Sequence, residues 1–350
     1  MRDLVINGKF LSQKTTGVQR VAHALTSELL GRDFGVKVRV AVPKGALDPW
    51  GQHAQVAKLK GVPWEQLELP LIAGKDLLLN LCNVAPVVRR GDIVMIHDAQ
   101  AFISPKSYSP AFRTYYQTLL PLVGGQASRV LTVSHYAANC LAETGIAPRE
   151  KIDVIHNGVD HILSIKEDDG VLTRLDLAGR PFVAALGSVQ HHKNIKTLVA
   201  AARGFTDKTA RLVLIGAATR ADYEAAGIAL GDNVCLAGRL SDEEMKSVVA
   251  RAQAFLFPSL TEGFGLPPLE AMLLGTPSIV APCGAMPELC DGHAIFCEAE
   301  NVEAWAQAIN NLLADSELRA HYSKLGIERA KRYTWTAAGN RLAEILLRYI

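Results

Sequence analysis

Short apolar runs alternate with amphipathic segments over most of the chain. In the first half the runs are LVIN, VKVRVAV, DLLLNL, DIVMIH, RVLTVS and KIDVIHN. In the second they are PFVAALG, ARLVLIG, NVCLAG, AFLFPS, PSIVAP and AIFCE. They are apolar almost throughout, as expected of parallel strands covered on both faces. Between them lie segments such as GVQRVAHALTSELL, SDEEMKSVVARA and NVEAWAQAINNLLAD, which read as amphipathic helices. Strand, helix and strand in repeated order predict an α/β protein with parallel sheets. The series pauses after HNGVD, where HILSIKEDDGVLTRLDLAG is charged and irregular. The pause divides the chain into a domain over 1–165 and another over 166–335, with a final helix over 336–350. Two Rossmann-like, doubly wound sheets facing each other leave a central cleft, and ligands bind outside the carboxyl ends of the strands.

Composition agrees with two domains, since 350 residues exceed the roughly 250–300 at which a single core stops growing. Hydrophobic residues at 49% and charged residues at 21% describe a globular chain without a disordered bias. The net charge of +2 gives no reason to expect a nucleic-acid partner. No apolar run reaches the roughly 18 residues of a membrane helix, and MRDLVINGKF lacks the apolar core of a secretory signal. Cys82, Cys140, Cys235, Cys283, Cys290 and Cys297 contain no CxxC pair, so they read as small buried thiols of a reduced, cytoplasmic protein.

The candidate chemistry centres on SLTEGFGLPPLEAMLLGTP, which sets Glu262 and Glu270 around a glycine-broken turn. AFLFPSL reads as a strand, TEGFG as a turn, and LPPLEAMLLG as a helix that Pro267 and Pro268 help to start and Gly275 closes. Both carboxylates are then expected where a helix dipole favours negative charge. An ionised carboxylate only accepts hydrogen bonds, so adjacent hydroxyls are its matching partner. The backbone from Gly263 through Phe264 and Gly265 to Leu266 exposes amides to ligand oxygens. A ligand with a vicinal diol at each end, such as a nucleotide sugar, fits that set. The plainer reading, in which both glutamates only favour the helix start, would hold for an isolated EGFG.

Elsewhere, Gly17 ends TTG before a helix, where backbone amides can face a phosphate. Gly187 and Ser188 end strand PFVAALG, and Lys193 follows just before a helix, where it can neutralise a diphosphate. His97 and Asp98 end DIVMIHD, with Asp98 read as a loop-ordering residue. Gly238, Arg239 and Leu240 follow NVCLAG; Ser241 and Glu244 form a capping box, and Ser134 is a helix cap. There is no Asp-x-Asp pair to hold a metal on a diphosphate, so a metal-independent reaction is expected. No G-x-G-x-x-G opens either half, which argues against a dehydrogenase.

The spacing of Glu262 and Glu270, with seven residues between, resembles the signature of retaining GT-B glycosyltransferases of family four. NGKFLSQKTTGVQRVAHALTSELL, IHDAQAFISP, VSHYAANCLAETGIAPREKIDVIHNGVD and LGSVQHHKNIKTLVAA resemble further stretches of that family, in family order. The resemblance implies a GT-B fold, with the acceptor on the N-terminal domain and the donor on the C-terminal one. It implies Glu262, Lys193 and His97 as the catalytic set. Glu262 would hold the hexose and Glu270 the ribose, Lys193 would meet the departing diphosphate, and His97 would lie beside the sugar. Gly17, Gly187, Ser188, Gly263, Phe264, Gly265, Leu266, Arg239 and Leu240 complete the donor site. The chain departs from the family where relatives carry an arginine, since Ser188 and His192 stand there.

No cofactor is expected beyond the co-substrate itself, with GDP-mannose the first choice and UDP-hexoses next. The TTGVQR loop resembles bacterial transferases of lipopolysaccharide or exopolysaccharide synthesis, which makes a saccharide or lipid-linked saccharide the expected acceptor. A lipid-linked acceptor would bring the N-terminal domain to the inner membrane face, with Arg89, Arg90, Lys106 and Arg113 as contributors. The competing expectations are a catalytically silent nucleotide-sugar binder and a GT-B nucleotide-sugar epimerase.

Overall fold

The computed structural model describes residues 2–350, apart from the side chain of residue 52. Two compact units emerge. One runs through Gly158 and resumes over Thr334–Ile350, and the other spans Val159–Tyr333. The linker reading placed the division later, at residue 165; by contacts, the segment after Val159 packs with the second unit.

Among the described residues the first unit holds one seven-stranded parallel sheet. Its strands are β1 (Leu4–Asn7), β2 (Val38–Val42), β3 (Ala54–Val56), β4 (Leu77–Asn80), β5 (Ile93–Met95), β6 (Arg129–Thr132) and β7 (Ile152–Val154), in the order β3-β2-β1-β4-β5-β6-β7. Six of these are the apolar runs of the sequence. The seventh, β3, was not expected, because it is an edge strand reading AQV with two exposed residues and carries no apolar signature. Leu4 pairs with Val38 on one side and Leu77 on the other, so β1 and β4 are neighbours where the winding reverses. There the buried Asn7 Nδ2 donates to Asn80 Oδ1 at 2.9 Å. The final helix, Trp335–Leu346, packs on the Gly17–Leu30 helix, where Arg32 Nη1 donates to Asn340 Oδ1 at 2.6 Å.

The second unit holds a six-stranded parallel sheet of β8 (Phe182–Leu186), β9 (Arg211–Ile215), β10 (Val234–Gly238), β11 (Ala254–Phe257), β12 (Ser278–Val280) and β13 (Ile295–Phe296), in the order β10-β9-β8-β11-β12-β13. All six were legible as apolar runs. The winding reverses between β8 and β11, so their carboxyl ends are where this architecture leaves room for a ligand. The helices Ile195–Ala202 and Val302–Ala314 cover one face through Leu198, Trp305 and Ile309, all fully buried, joined by Phe205 just beyond the first helix.

The six cysteines are unpaired, and burial pushes the thiols of Cys82 and Cys290 up to about 12. No helix among the described residues is long and apolar enough to cross a membrane. Arg89 is engaged within the fold. Its guanidinium is held by Asp92 at 2.7 and 2.9 Å and by the carbonyls of Gly74 and Asp76.

Candidate functional site

Two loops, following β8 and β11, build the site in the second unit. The first carries Gly187, Ser188, a single 3-10 turn over His191–Lys193, and Asn194. Glycine is required at 187 by close approach: a Cβ there would stand 2.8 Å from the Tyr223 hydroxyl and 3.1 Å from Leu214 Cβ. Ser188 Oγ accepts from Gln190 N at 3.2 Å, so this hydroxyl orders its own loop. Asn194 takes the left-handed conformation, φ 51°. Its Nδ2 donates to Ala299 O at 2.6 Å and Pro258 O at 3.2 Å, and Thr197 Oγ1 donates to its Oδ1. Three buried hydrogen bonds thereby set the direction from which Lys193, one residue earlier, leaves the chain.

The second loop carries Glu262 and the glycine turn. Gly265 sits at φ 110°, and a Cβ there would lie 2.2 Å from Met286 Cε. Helix Leu266–Leu273 starts directly after it, with prolines in its first turn as expected. Glu270 is the fifth residue of that helix, beyond the first turn, so the expectation that the helix dipole favours its carboxylate is corrected. Phe264 is 5% exposed and stands edge-on to Tyr333 at 6.0 Å, so its ring serves packing.

The loops meet in an ion pair. Lys193 Nζ lies 2.6 Å from Glu262 Oε1 and 5.9 Å from the centre of the Phe257 ring. Glu262 is itself fixed from behind. Its carbonyl accepts from Ala285 N at 3.0 Å, and Gly284 packs so closely that a Cβ would stand 2.4 Å from Glu262 N. Glu270, 9% exposed, has His161 Nε2 at 3.2 Å from its Oε1. Beside it is a largely apolar cavity of about 30 Å³ bounded by Leu186, Met245, Phe255 and Leu274 and by the stem of Lys246. His192, next to Lys193, is buried, and loss of water with the Lys193 charge pulls its imidazole down to about 4. It is neutral at physiological pH and replaces no arginine charge.

Arg239 and Leu240 follow β10, with Gly238 at φ 71° and Arg239 exposed; Ser241 and Glu244 form the expected reciprocal cap. Gly17 and His97 belong to the first unit. Gly17 opens its helix behind Thr16, whose N–H donates to Gln19 Oε1 at 3.2 Å. His97 is buried just beyond β5, and desolvation lowers its pKa to about 4. Its Nε2 lies 2.8 Å from Leu81 O, which selects the tautomer with hydrogen on Nε2 and leaves Nδ1 as an acceptor. A neutral His97 can accept from a hydroxyl but adds no positive charge. Asp98 Oδ1 accepts from Gln100 N, and Ser134 caps Ala137 N, both as read from sequence.

Three contributors escaped the sequence reading. His161 fell in the stretch taken as linker, Asn194 carried no motif, and Gly284 was one glycine among 28. Only the positive φ of Asn194 and Gly284 marks them, and sequence does not display it.

Two family models match this chain: "Glycosyltransferase Family 4" over residues 15–162 and "Glycosyl transferases group 1" over 175–329. An O-antigen chain mannosyltransferase of Salmonella typhimurium is 28% identical over 68% of this chain and 65% of its own length. A D-inositol 3-phosphate glycosyltransferase of Segniliparus rotundus is 26% identical over 71% of this chain and 60% of its own. The matched region thus spans just under two thirds of these relatives. Among solved structures, Anabaena HepE in complex with UDP-glucose superposes with a TM-score of 0.76 over all of both chains, at 19% identity. Sucrose-phosphate synthase of Thermosynechococcus elongatus gives 0.73 over 99% of each chain, at 18% identity. With two parallel-sheet units, each matched along most of its length by a glycosyltransferase model, the chain belongs to the family-four-like glycosyltransferases of the GT-B fold.

Proposed function

We propose that the protein transfers a hexose from a nucleotide diphosphate sugar to a hydroxyl of a growing saccharide, with retention at the anomeric carbon and no metal ion. The observation that carries this reading is the Lys193–Glu262 ion pair between the loops that follow β8 and β11, with Glu270 on the helix that continues the second loop. A diphosphate attracts the Lys193 ammonium, and breaking the 2.6 Å pair frees the Glu262 carboxylate to accept sugar hydroxyls. One event therefore prepares both groups. Glu270 accepts from the ribose diol, and the Gly263–Gly265 backbone offers amides to the sugar. Lys193 and the helix starting at Leu266 stabilise charge on the departing diphosphate. His97, on the first unit, is held neutral with Nδ1 as an acceptor, the form that could take a hydrogen bond from a hydroxyl.

GDP-mannose is the first donor to test, because relatives include O-antigen mannosyltransferases of Salmonella typhimurium and Escherichia coli. UDP-glucose is the second, since HepE is described with it. The acceptor is a saccharide or lipid-linked saccharide, and the protein works in the cytoplasm, touching the inner membrane face through its first unit. On that unit Tyr108, Phe112 and Tyr116 stack in a row, with Phe112 and Tyr115 more than 40% exposed and Lys106 and Arg113 nearby in sequence.

Thermal unfolding against GDP-mannose, UDP-glucose, UDP-N-acetylglucosamine, GDP and UDP tests the reading, with Glu270→Ala alongside. Ligands that bind only the folded state raise the melting temperature. A rise with one base that Glu270→Ala abolishes supports the assignment and selects the donor for turnover assays. No rise with any member would set it aside in favour of a silent assembly partner.

A further inference from the structure

We propose that His161 is a positioning residue of the donor site, orienting the Glu270 carboxylate so that the protein recognises a ribonucleotide by its 2′,3′-diol. The inference rests on Glu270 as the ribose contact and adds a residue that reading lacks. Glu270 leaves the middle of a helix through a flexible side chain, beside a cavity lined by Leu186, Met245, Phe255 and Leu274 and by Lys246, whose ammonium donates to the carbonyls of Leu163 and Ile165. His161 reaches it, with Nε2 3.2 Å from Oε1.

The imidazole stands on a rigid support. The turn His161–Ser164 is anchored by Val159 and Ile162, which are 0% and 2% exposed, and Val159 N donates to Tyr333 O at 3.0 Å. Lys246, only 8% exposed, closes the other end of the turn, donating to Ile165 O at 2.6 Å and Leu163 O at 3.4 Å. A buried ammonium held on two carbonyls is a strong clamp for four residues of chain. It fixes the face from which His161 approaches Glu270.

The chemistry leaves room for ligand. A carboxylate has about four lone-pair sites, and His161 takes one. The remaining sites, now fixed in direction, match two hydroxyls on adjacent carbons. Without His161 the carboxylate must be ordered by the ligand itself, and the second hydroxyl gains less from meeting it.

The test compares GDP and UDP with their 2′-deoxy counterparts by calorimetry, below the melting temperature of each variant. The wild type is expected to prefer the ribonucleotide by about tenfold, the worth of one hydrogen bond to a charged group. His161→Ala should bring that ratio towards one, and His161→Gln, which keeps an N–H donor, should restore part of it. Glu270→Ala should abolish the ratio, with no further change when His161→Ala is added. If His161→Ala keeps the wild-type ratio while Glu270→Ala destroys it, His161 is only a packing residue and the Glu270 reading stands. If Glu270→Ala binds like wild type, or no nucleotide binds the wild type, both fall.

Discussion

Replacing Gly284 with alanine asks whether the site is held by its backbone or by its charges. Gly284 lies at φ +64°, and the added Cβ would stand 2.4 Å from Glu262 N and 2.5 Å from Glu262 O. Both neighbours are backbone, so the chain at Glu262 must retreat by roughly an ångström to reach ordinary contact. Gly292 is the control. Its φ is +70°, but a Cβ there meets nothing within 4 Å. Gly292→Ala therefore carries only the left-handed penalty of about 1–2 kcal/mol, a fall in Tm of a few degrees. Gly284→Ala adds the displacement, and about 2–4 kcal/mol in total is expected. Its larger effect should be on rate, since an ångström of misplacement can cost about 10²-fold. Thermal unfolding and nucleotide release from the donor, measured on both variants, check this. Should Gly284→Ala match Gly292→Ala on both readouts, the packing of Gly284 does not position Glu262 and the backbone account is wrong.

Lys193→Ala should lower turnover by about 10²-fold or more, since it strips the positive field from the leaving diphosphate, whereas Lys193→Arg should retain measurable activity; steady-state kinetics with the selected donor decide. Asn194→Ala leaves the buried carbonyls of Pro258 and Ala299 without their donor and should cost about 2–4 kcal/mol in urea unfolding, with Asn194→Gly, which relieves the φ but not the lost bonds, still destabilised. His97 binds its proton only near pH 4 when folded but near 6.5 when unfolded, so the unfolded chain holds more protons between those values. Stability should then rise with pH from about 4 to 6.5 and be fully present above, and His97→Asn should flatten that part of a Tm-against-pH curve. Phe112→Ser with Tyr115→Ser should weaken sedimentation with anionic vesicles if the exposed aromatic row meets lipid; unchanged sedimentation would remove the first unit's membrane role.

Strands and helices were legible because each is a pattern spread over several residues. Twelve apolar runs were read, and every one became a strand; the strand that was missed, Ala54–Val56, lies on an edge where burial imposes no pattern. The site was legible only as separate stations. Lys193 and Glu262 could each be assigned a ligand group, yet their pairing joins residues 69 apart in sequence, and nothing local to either announces it. That pairing changes the chemistry. Read separately, a free lysine waits for phosphate and a free glutamate waits for sugar. Paired at 2.6 Å, each is the other's counter-charge, and on the proposed assignment a ligand carrying both a diphosphate and hydroxyls would replace the two halves together. A bare sugar would have to leave the Lys193 ammonium without its counter-charge, and a bare diphosphate would leave the Glu262 carboxylate so. On the proposed donor assignment, the intact donor is then expected to bind more tightly than its nucleoside diphosphate, without abolishing binding of the latter. The two loops are themselves fixed by an asparagine in the left-handed region and a glycine without room for a methyl group.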